Sequence, residues 1–491
     1  SSRPAPSERP TPSEQPPPSD EAPAPEVELA FVPVVGFWSP ETSISLRALE
    51  DALSGTSRRH PSVIVPEEDR DALVAALGIV LGPDVESGNR AQIARAVSRG
   101  ALGLLRVTDV TPAVRALAVE GVSVFGNGRT ADLGDWPLKA SVAPEKGLHW
   151  DQASTWTLVA GGDIQLDRWM AYHVTTLDKG VDWPYDGGAV RITGRVCCSA
   201  LGHRLPEWQP SGNEGAVRAL FAEADLAMAN LEAAAIDDPS FHRLGRNFRF
   251  SLNFSGDPRL LEGLDNAGFD FLSLANNHID NAGPAGIRDT RTAHDELDIA
   301  HAGAGRHLRQ ASRPAFLEAA DQTVAMLPCT TVGRVASPAG AGAAPCAGPG
   351  LVRRIRQAAE DSDVVIVFPH WGREYRATPS AAQRRLAQSW VDAGADLVLG
   401  AHSHWTGAIE EIDESLIFYS MGNLAFDQPW SEPTMQGVIL ELTFHAERLA
   451  QVRLHPTLIV DDVQPNLLDY DAGGERVFRR MREASDGLLP Y

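Results

Sequence analysis

The chain has 491 residues, 43% of them hydrophobic, which is ample for more than one buried core. Subtracting 65 acidic from 43 basic side chains leaves a formal charge of −22. Such a charge repels nucleic-acid phosphates and anionic lipid surfaces, so no nucleic-acid partner is expected.

The first 25 residues hold nine prolines among Ser, Glu and Ala. A segment of this composition buries almost nothing, and a disordered tether is expected over 1–26. Tethers of this kind often follow a cleaved export signal. The expected location is therefore extracytoplasmic: an exported, envelope-associated protein, anchored upstream through lipid or membrane. The apolar stretch 27–38 is broken by Glu28 and Pro33. It also falls short of the roughly 20 residues that a membrane helix needs.

Residues 27–150 read as a smaller accessory α/β domain. Apolar strands at 31–37, 62–65, 102–107 and 122–125 alternate with helical patterns at 67–77 and 90–98, which suggests a parallel or mixed sheet. His60 stands beside Arg58 and Arg59 and is expected to be a solvated loop residue. The run Val32-Pro-Val-Val-Gly-Phe-Trp38 loosely resembles the first strand of extracellular solute-binding domains.

From 151 to 462 the pattern repeats as strand then helix. Five apolar runs each end abruptly in polar residues. These are 157–160 before Gly161-Gly-Asp163, 226–229 before Asn230-Leu-Glu232, 269–275 before Asn276-Asn-His278, 364–368 before Pro369-His370, and 397–399 before Gly400-Ala-His-Ser-His404. Helical stretches at 214–223, 258–267, 287–297, 351–361 and 381–392 separate them. Ligands of open α/β sheets gather beyond the carboxyl ends of strands, so five polar sets converge on one crevice. Further runs at 408–412, 416–419, 437–444 and 451–459 suggest antiparallel strands that form a second sheet, before a C-terminal tail at 463–491.

Four cysteines, Cys197, Cys198, Cys329 and Cys346, form no CxxC pair. They allow three disulfide connectivities as well as buried free thiols. The segment 335–350, rich in Gly, Ala and Pro, reads as a surface loop, with a lid over the crevice as the alternative.

Imidazoles mixed with carboxylates suit zinc, manganese or iron better than calcium or magnesium. A lone His at a strand end is more often hydrogen-bonded scaffold than ligand. Recurrence after five strands changes that balance. The acids Asp163 and Glu232 are candidates to bridge a metal pair, and Gly400 relieves crowding before His402 and His404.

Gly162-Asp163, Asn230-Leu-Glu232, Leu274-Ala-Asn-Asn-His278, His370-Trp-Gly372 with Glu374-Tyr375, Gly400-Ala-His-Ser-His404 and Ser420-Met-Gly-Asn423 stand in the order seen in the CapA family. That family, of bacterial capsule and poly-γ-glutamate synthesis, resembles calcineurin-like metallophosphoesterases. The resemblance spans about residues 155–445 and leaves the first 150 untouched. It implies a four-layer αββα sandwich with two divalent ions, Mn, Zn or Fe. One ion would be held by Asp163, Glu232 and His404, the other by Glu232, Asn277, His370 and His402. His278 would protonate a leaving group. Ser420 and Asn423 would shape the rim, with Asn230 and Asn276 supporting the ligands from behind. Gln165 departs from the pattern, because metallophosphoesterases usually carry a His there.

Arg243, Arg246 and Arg249, with Arg373 and Arg376, would form a cationic rim for an anionic polymer if their loops converge; a scattered solvated face is the alternative. Trp371, Tyr375 and Trp405 would stack on substrate or simply pack. The expected partners are an anionic envelope polymer or its precursor, and membrane proteins of capsule synthesis. Two functions compete: a hydrolase in which activated water attacks a phosphoester or amide, and a non-catalytic envelope factor that binds the polymer on the same fold. A solute-binding function rests on the front domain alone and ranks last.

Overall fold

The computed structural model describes residues 27–142, 150–240 and 252–491. The tether at 1–26 and the three arginines at 243, 246 and 249 lie outside the described residues.

Two sheets face each other across a shared apolar layer. The first runs Leu205–Pro210, Ala189–Val196, Gln464–Leu468, Arg448–Val460, Gln436–His445, Thr155–Ile164, Leu226–Leu231, Phe271–Ser273, Ala300–Ala302. The second runs Ala315–Ala319, Gln322–Thr330, Val364–His370, Leu397–Leu399, Ser415–Phe418, Ile409–Ile412. Alternation along each strand decides which face a side chain joins. Leu158, Ala160 and Met228 from the first sheet meet Ile366, Phe368 and Leu399 from the second. Their neighbours Val159, Ala227 and Ala229 point outward, onto Val217, Phe221, Leu264 and Ile287 of the covering helices. Val365, Val367 and Val398 do the same on the other side, against Leu351 and Ile355 of helix Pro349–Asp361 and Trp390 of helix Ala381–Val391. The layers are helix, sheet, sheet, helix, the αββα sandwich expected.

The second sheet is built differently from the sequence reading. Strands Gln436–His445 and Arg448–Val460 extend the first sheet, beside Thr155–Ile164. Only Ile409–Ile412 and Ser415–Phe418 join the second, next to Leu397–Leu399. The five polar sets thus come from two sheets, three from one and two from the other. Hydropathy reports that a strand is buried but not which neighbour it pairs with.

Residues 463–491, read as a tail, carry strand Gln464–Leu468 and helix Gly474–Ala484. Val477, Phe478 and Met481 of that helix pack into the layer between the sheets. The loop 335–350 is not a plain surface loop either. Gly342–Ala343 pairs with Ala304–Gly305, and Ala343 and Ala344 are buried. A disulfide from Cys329 to Cys346 closes it, and Cys197 is joined to Cys198.

Residues 27–142 carry a mixed sheet with Val27–Gly36 antiparallel to Leu102–Arg106 and Val114–Ala116, while Val63–Pro66 runs parallel to Leu102–Arg106. Residues 122–125 make bridges rather than a strand. His60 is buried, not solvated: its Nε2 lies 3.5 Å from Glu41 Oε2. This segment is hydrogen-bonded to the sandwich by Ala116 N–H to Gln451 Oε1 at 2.7 Å and Asn127 N–H to Glu441 Oε1 at 2.8 Å.

Candidate metal centre

Strand ends bring the acids and imidazoles together. Asp163 closes strand Thr155–Ile164, and Glu232 follows Leu226–Leu231, its backbone N–H donating to Ile164 O at 2.7 Å. Gly162 permits the approach of Asp163 to the neighbouring segment: a Cβ there would stand 1.9 Å from Gly422 O. Asn277 and His278 follow Phe271–Ser273, His370 ends Val364–His370, and His402 and His404 follow Leu397–Leu399. His402 and His404 both adopt left-handed backbone, φ +92° and +56°. Each such conformation costs about 1–3 kcal/mol and persists only where the surroundings enforce it. It turns both imidazoles inward from positions two residues apart.

Two triads result, Glu232–His370–His402 and Asp163–Glu232–His404, each with donor atoms within 4.8 Å of one another. All five residues are buried. Around His370 Nε2 lie Asn277 Oδ1 at 2.7 Å, His402 Nδ1 at 3.0 Å and Glu232 Oε1 at 3.5 Å. On the other side His404 Nδ1 lies 3.5 Å from Asp163 Oδ2.

The electrostatics fit cations. Burial, then the charge of Glu232, pushes Asp163 well above the usual carboxylate range. Burial, then the charge of Glu374, does the same to Glu232. Neither carboxylate oxygen of Glu232 has a hydrogen-bond partner, a costly state for a buried acid. Burial holds His370 and His404 far below their ordinary value and His402 down to about 2. These imidazoles are neutral, with a lone pair to share. A bridging cation pair would satisfy the bare oxygens of Glu232 and offset the repulsion between the two acids.

The supporting residues take defined places. Asn230 Nδ2 donates to Asp163 Oδ1 at 2.8 Å and lies 3.2 Å from His370 Nδ1. Asn423 Oδ1 lies 2.8 Å from His404 Nδ1, while its amide nitrogen donates to Gln428 and to Thr434 O. Ser420 Oγ accepts from Gly422 N–H at 3.2 Å. Gln165 is fully buried and neither atom of its amide is hydrogen-bonded. Asn276 Oδ1 accepts from His278 N–H at 3.0 Å, fixing the turn.

His278 lies beside the acid–imidazole cluster, its Nε2 3.7 Å from Glu232 Oε1. Burial lowers its pKa to about 4. Its ring stacks on Phe254 with centroids 3.9 Å apart, and Arg168 lies over the same Phe254 ring, 4.6 Å from its centroid. Arg168 is itself held by the buried carboxylate of Asp427. Sequence reading missed Phe254, Asn281, Arg168 and Asp427. The only local signal was Asn281, one turn beyond His278; the others come from distant segments.

Among the rim candidates, Arg373 and Arg376 border a cavity that also includes Ser403, from between His402 and His404. Trp371 is packing: it is buried, with Trp390 and Tyr419 at 5.1 and 5.5 Å. Tyr375 and Trp405 are half-buried at the rim, Tyr375 lying 6.2 Å from the His404 ring.

Fold and site together define a four-layer α/β protein with a buried acid–imidazole centre at the carboxyl ends of two facing sheets. The chain belongs to the family described as bacterial capsule synthesis protein PGA_cap, whose model matches residues 157–428. It is similar to the capsule biosynthesis protein CapA of Bacillus anthracis, 28% identical over 276 residues, covering 54% of this chain and 66% of that protein. It is also similar to the PGA biosynthesis protein CapA of Bacillus subtilis, 32% identical over 221 residues, covering 44% of this chain and 57% of that one. The match therefore spans less than two thirds of either relative's own length. Among solved structures, a "novel phosphatase" of Mycoplasma pneumoniae aligns at 9% identity with a TM-score of 0.37, over 63% of this chain and 95% of that one.

Proposed function

We propose that the chain is a metal-dependent hydrolase of the cell envelope, acting on poly-γ-glutamate, another anionic polymer or its precursor. The observation that carries this reading is Glu232: a wholly buried carboxylate, common to both triads, with neither oxygen hydrogen-bonded. Asp163, Glu232 and His404 would hold one divalent ion, and Glu232, Asn277, His370 and His402 the other. Zinc, manganese or iron suit that donor set. Such ions, when bound, lower the pKa of water and polarise the bond to be cleaved.

The chain's own residues supply orientation and a proton path. Asn281 Oδ1 accepts from Phe254 N–H at 2.6 Å and faces His278 Nδ1 at 2.8 Å, so Nδ1 carries the hydrogen. Nε2 is left facing the centre. There the resting neutral imidazole takes the proton given up by the attacking water and hands it to the departing oxygen or nitrogen, which is general base followed by general acid work. Export, envelope association and capsule-synthesis membrane proteins as partners belong to the same proposal, supported by the relatives' names and the proline-rich composition of 1–26.

Elemental analysis of the purified chain tests the reading first, followed by a hydrolysis screen that compares phosphoesters with γ-glutamyl amides. Stoichiometric transition metal together with turnover that is lost in His278→Ala supports it. A metal-free protein with full biological function sinks it. Gln165 favours the second reading, a polymer-binding factor without turnover, because an amide stands where metallophosphoesterases usually carry a His. Bound metal and polymer affinity without hydrolysis would decide for that reading.

A further inference from the structure

Beside the centre, the loop after His370 and the start of helix Ala381–Val391 enclose a cavity of about 240 Å³. Its walls include Arg373, Arg376 and Thr378 from the loop, Ser403 from the His402–His404 turn, and Ser420. Drug-sized ligands occupy pockets of about 300–1,000 Å³, so this one suits a single small residue of a longer chain.

The loop is clamped at three points. Tyr375 N–H donates to Ser403 O at 2.8 Å, which ties it directly to the turn that carries both imidazoles. Ala408 N–H donates to Ala377 O at 2.9 Å. Gly372, at φ +96°, lies so close to the helix that a Cβ would stand 2.6 Å from Gln383 Nε2. A ligand in the cavity is therefore held at a fixed offset from the centre.

Arg373 and Arg376 are exposed, and no carboxylate pairs with either among the described residues. In a chain of net charge −22, two uncommitted guanidinium groups on one rigid loop make a local reversal of sign. Between them stands Glu374, whose carboxylate is hydrogen-bonded by the neighbouring Tyr375 hydroxyl. The guanidinium fork matches a planar carboxylate with two parallel hydrogen bonds.

We propose that this cavity is the subsite for the free α-carboxylate of one γ-linked glutamyl residue, next to the bond that lies over the centre. The assignment rests on the proposed function and names the substrate class of the same site. In a γ-linked polymer every residue keeps one α-carboxylate outside the backbone. A single arginine-lined pocket can thus set the register of the chain on the enzyme, while the hydroxyls of Thr378, Ser403 and Ser420 border the rest of the residue.

Calorimetric titration of the full chain, with and without added Mn²⁺, tests this. The probes are γ-linked triglutamate, its α-amide counterpart and inorganic phosphate. Triglutamate should bind, the α-amide should bind at least about tenfold more weakly, and Arg376→Gln should weaken triglutamate by about tenfold. The double variant Arg373→Gln/Arg376→Gln should abolish binding and leave metal content unchanged; Arg356→Gln, an exposed change on another helix, should alter neither. Equal binding of acid and amide, or full affinity in the double variant, overturns the subsite. Binding of phosphate but not triglutamate overturns it too and leaves a phosphoester hydrolase standing. Arginine-dependent triglutamate binding in a protein that takes up no metal supports the subsite and removes the hydrolase reading instead.

Discussion

The carboxamide oxygen of Asn281 meets both Phe254 N–H, at 2.6 Å, and His278 Nδ1, at 2.8 Å. One residue thereby fixes the tautomer of the imidazole and the position of the ring stacked on it. Replacing Asn281 with Ala should leave bound metal unchanged and lower turnover by about 10- to 100-fold, the usual effect of removing a partner that orients an active-site group. Asn281→Asp, which keeps an acceptor oxygen, should recover part of it. Equal turnover in wild type and Asn281→Ala would rule out the assigned role of His278.

Metal stoichiometry should divide by residue. His404→Ala should remove one equivalent, and His402→Ala the other, because each belongs to a single triad. Glu232→Gln should weaken both, since Glu232 is shared. Inductively coupled plasma spectrometry on dialysed variants measures this. In the wild type, free metal at 100 times its Kd should add about 2.7 kcal/mol to the unfolding free energy per site.

The disulfide from Cys329 to Cys346 closes a loop of sequence separation 17 and pins the end of strand Gln322–Thr330 to the segment that precedes helix Pro349–Asp361. Cys329→Ala/Cys346→Ala should lower stability by about 2–4 kcal/mol in urea unfolding. Denatured-state entropy is the main source of that difference.

Asp167 supplies a pH test away from the ligands. Burial, with Asp427 adding to it, raises its pKa to about 8, although Arg168 opposes the rise. Its unfolded value is ordinary, about 4. A raised carboxyl favours the folded state fully below pH ~4, and the advantage is lost progressively up to about pH 8, as the unfolded chain ionises first. Asp167→Asn should therefore flatten the decline in stability between those limits. The variant should be more stable than wild type at pH 8 by a few kcal/mol at most, since each tenfold difference in acidity between the folded and unfolded carboxyl is worth about 1.4 kcal/mol. Parallel pH profiles for the two proteins would refute the assignment.

Several features were legible in the sequence because they are local. The abrupt change from apolar run to Asp, Asn or His marks a strand end wherever that strand pairs, so Asp163, Glu232, Asn277, His370, His402 and His404 could be singled out before any contact was known. Their convergence on one crevice follows from the carboxyl-end rule; the division into two groups that share Glu232 was implied only by the family resemblance. Gly400 before the His pair reads the same way: a Cβ there would stand 2.2 Å from Tyr419 O.

What only the tertiary structure decided depends on pairing between distant segments. Strand period reports burial and alternation but carries no partner, so the allocation of Gln436–His445 to the first sheet and Ser415–Phe418 to the second emerges only on folding. For the same reason the groups that orient His278 were invisible: Phe254 and Arg168 lie 24 and 110 residues away in sequence, and Asp427 reaches Arg168 across 259. His60 shows the limit in a single residue. Charged neighbours in the sequence suggested solvent, yet the fold turns its ring inward toward Glu41, because exposure is set by packing in three dimensions. The sequence by itself determined which donors are available and the strand ends that carry them; the fold decided which of them share a carboxylate, which are held from behind, and where a cavity opens beside them.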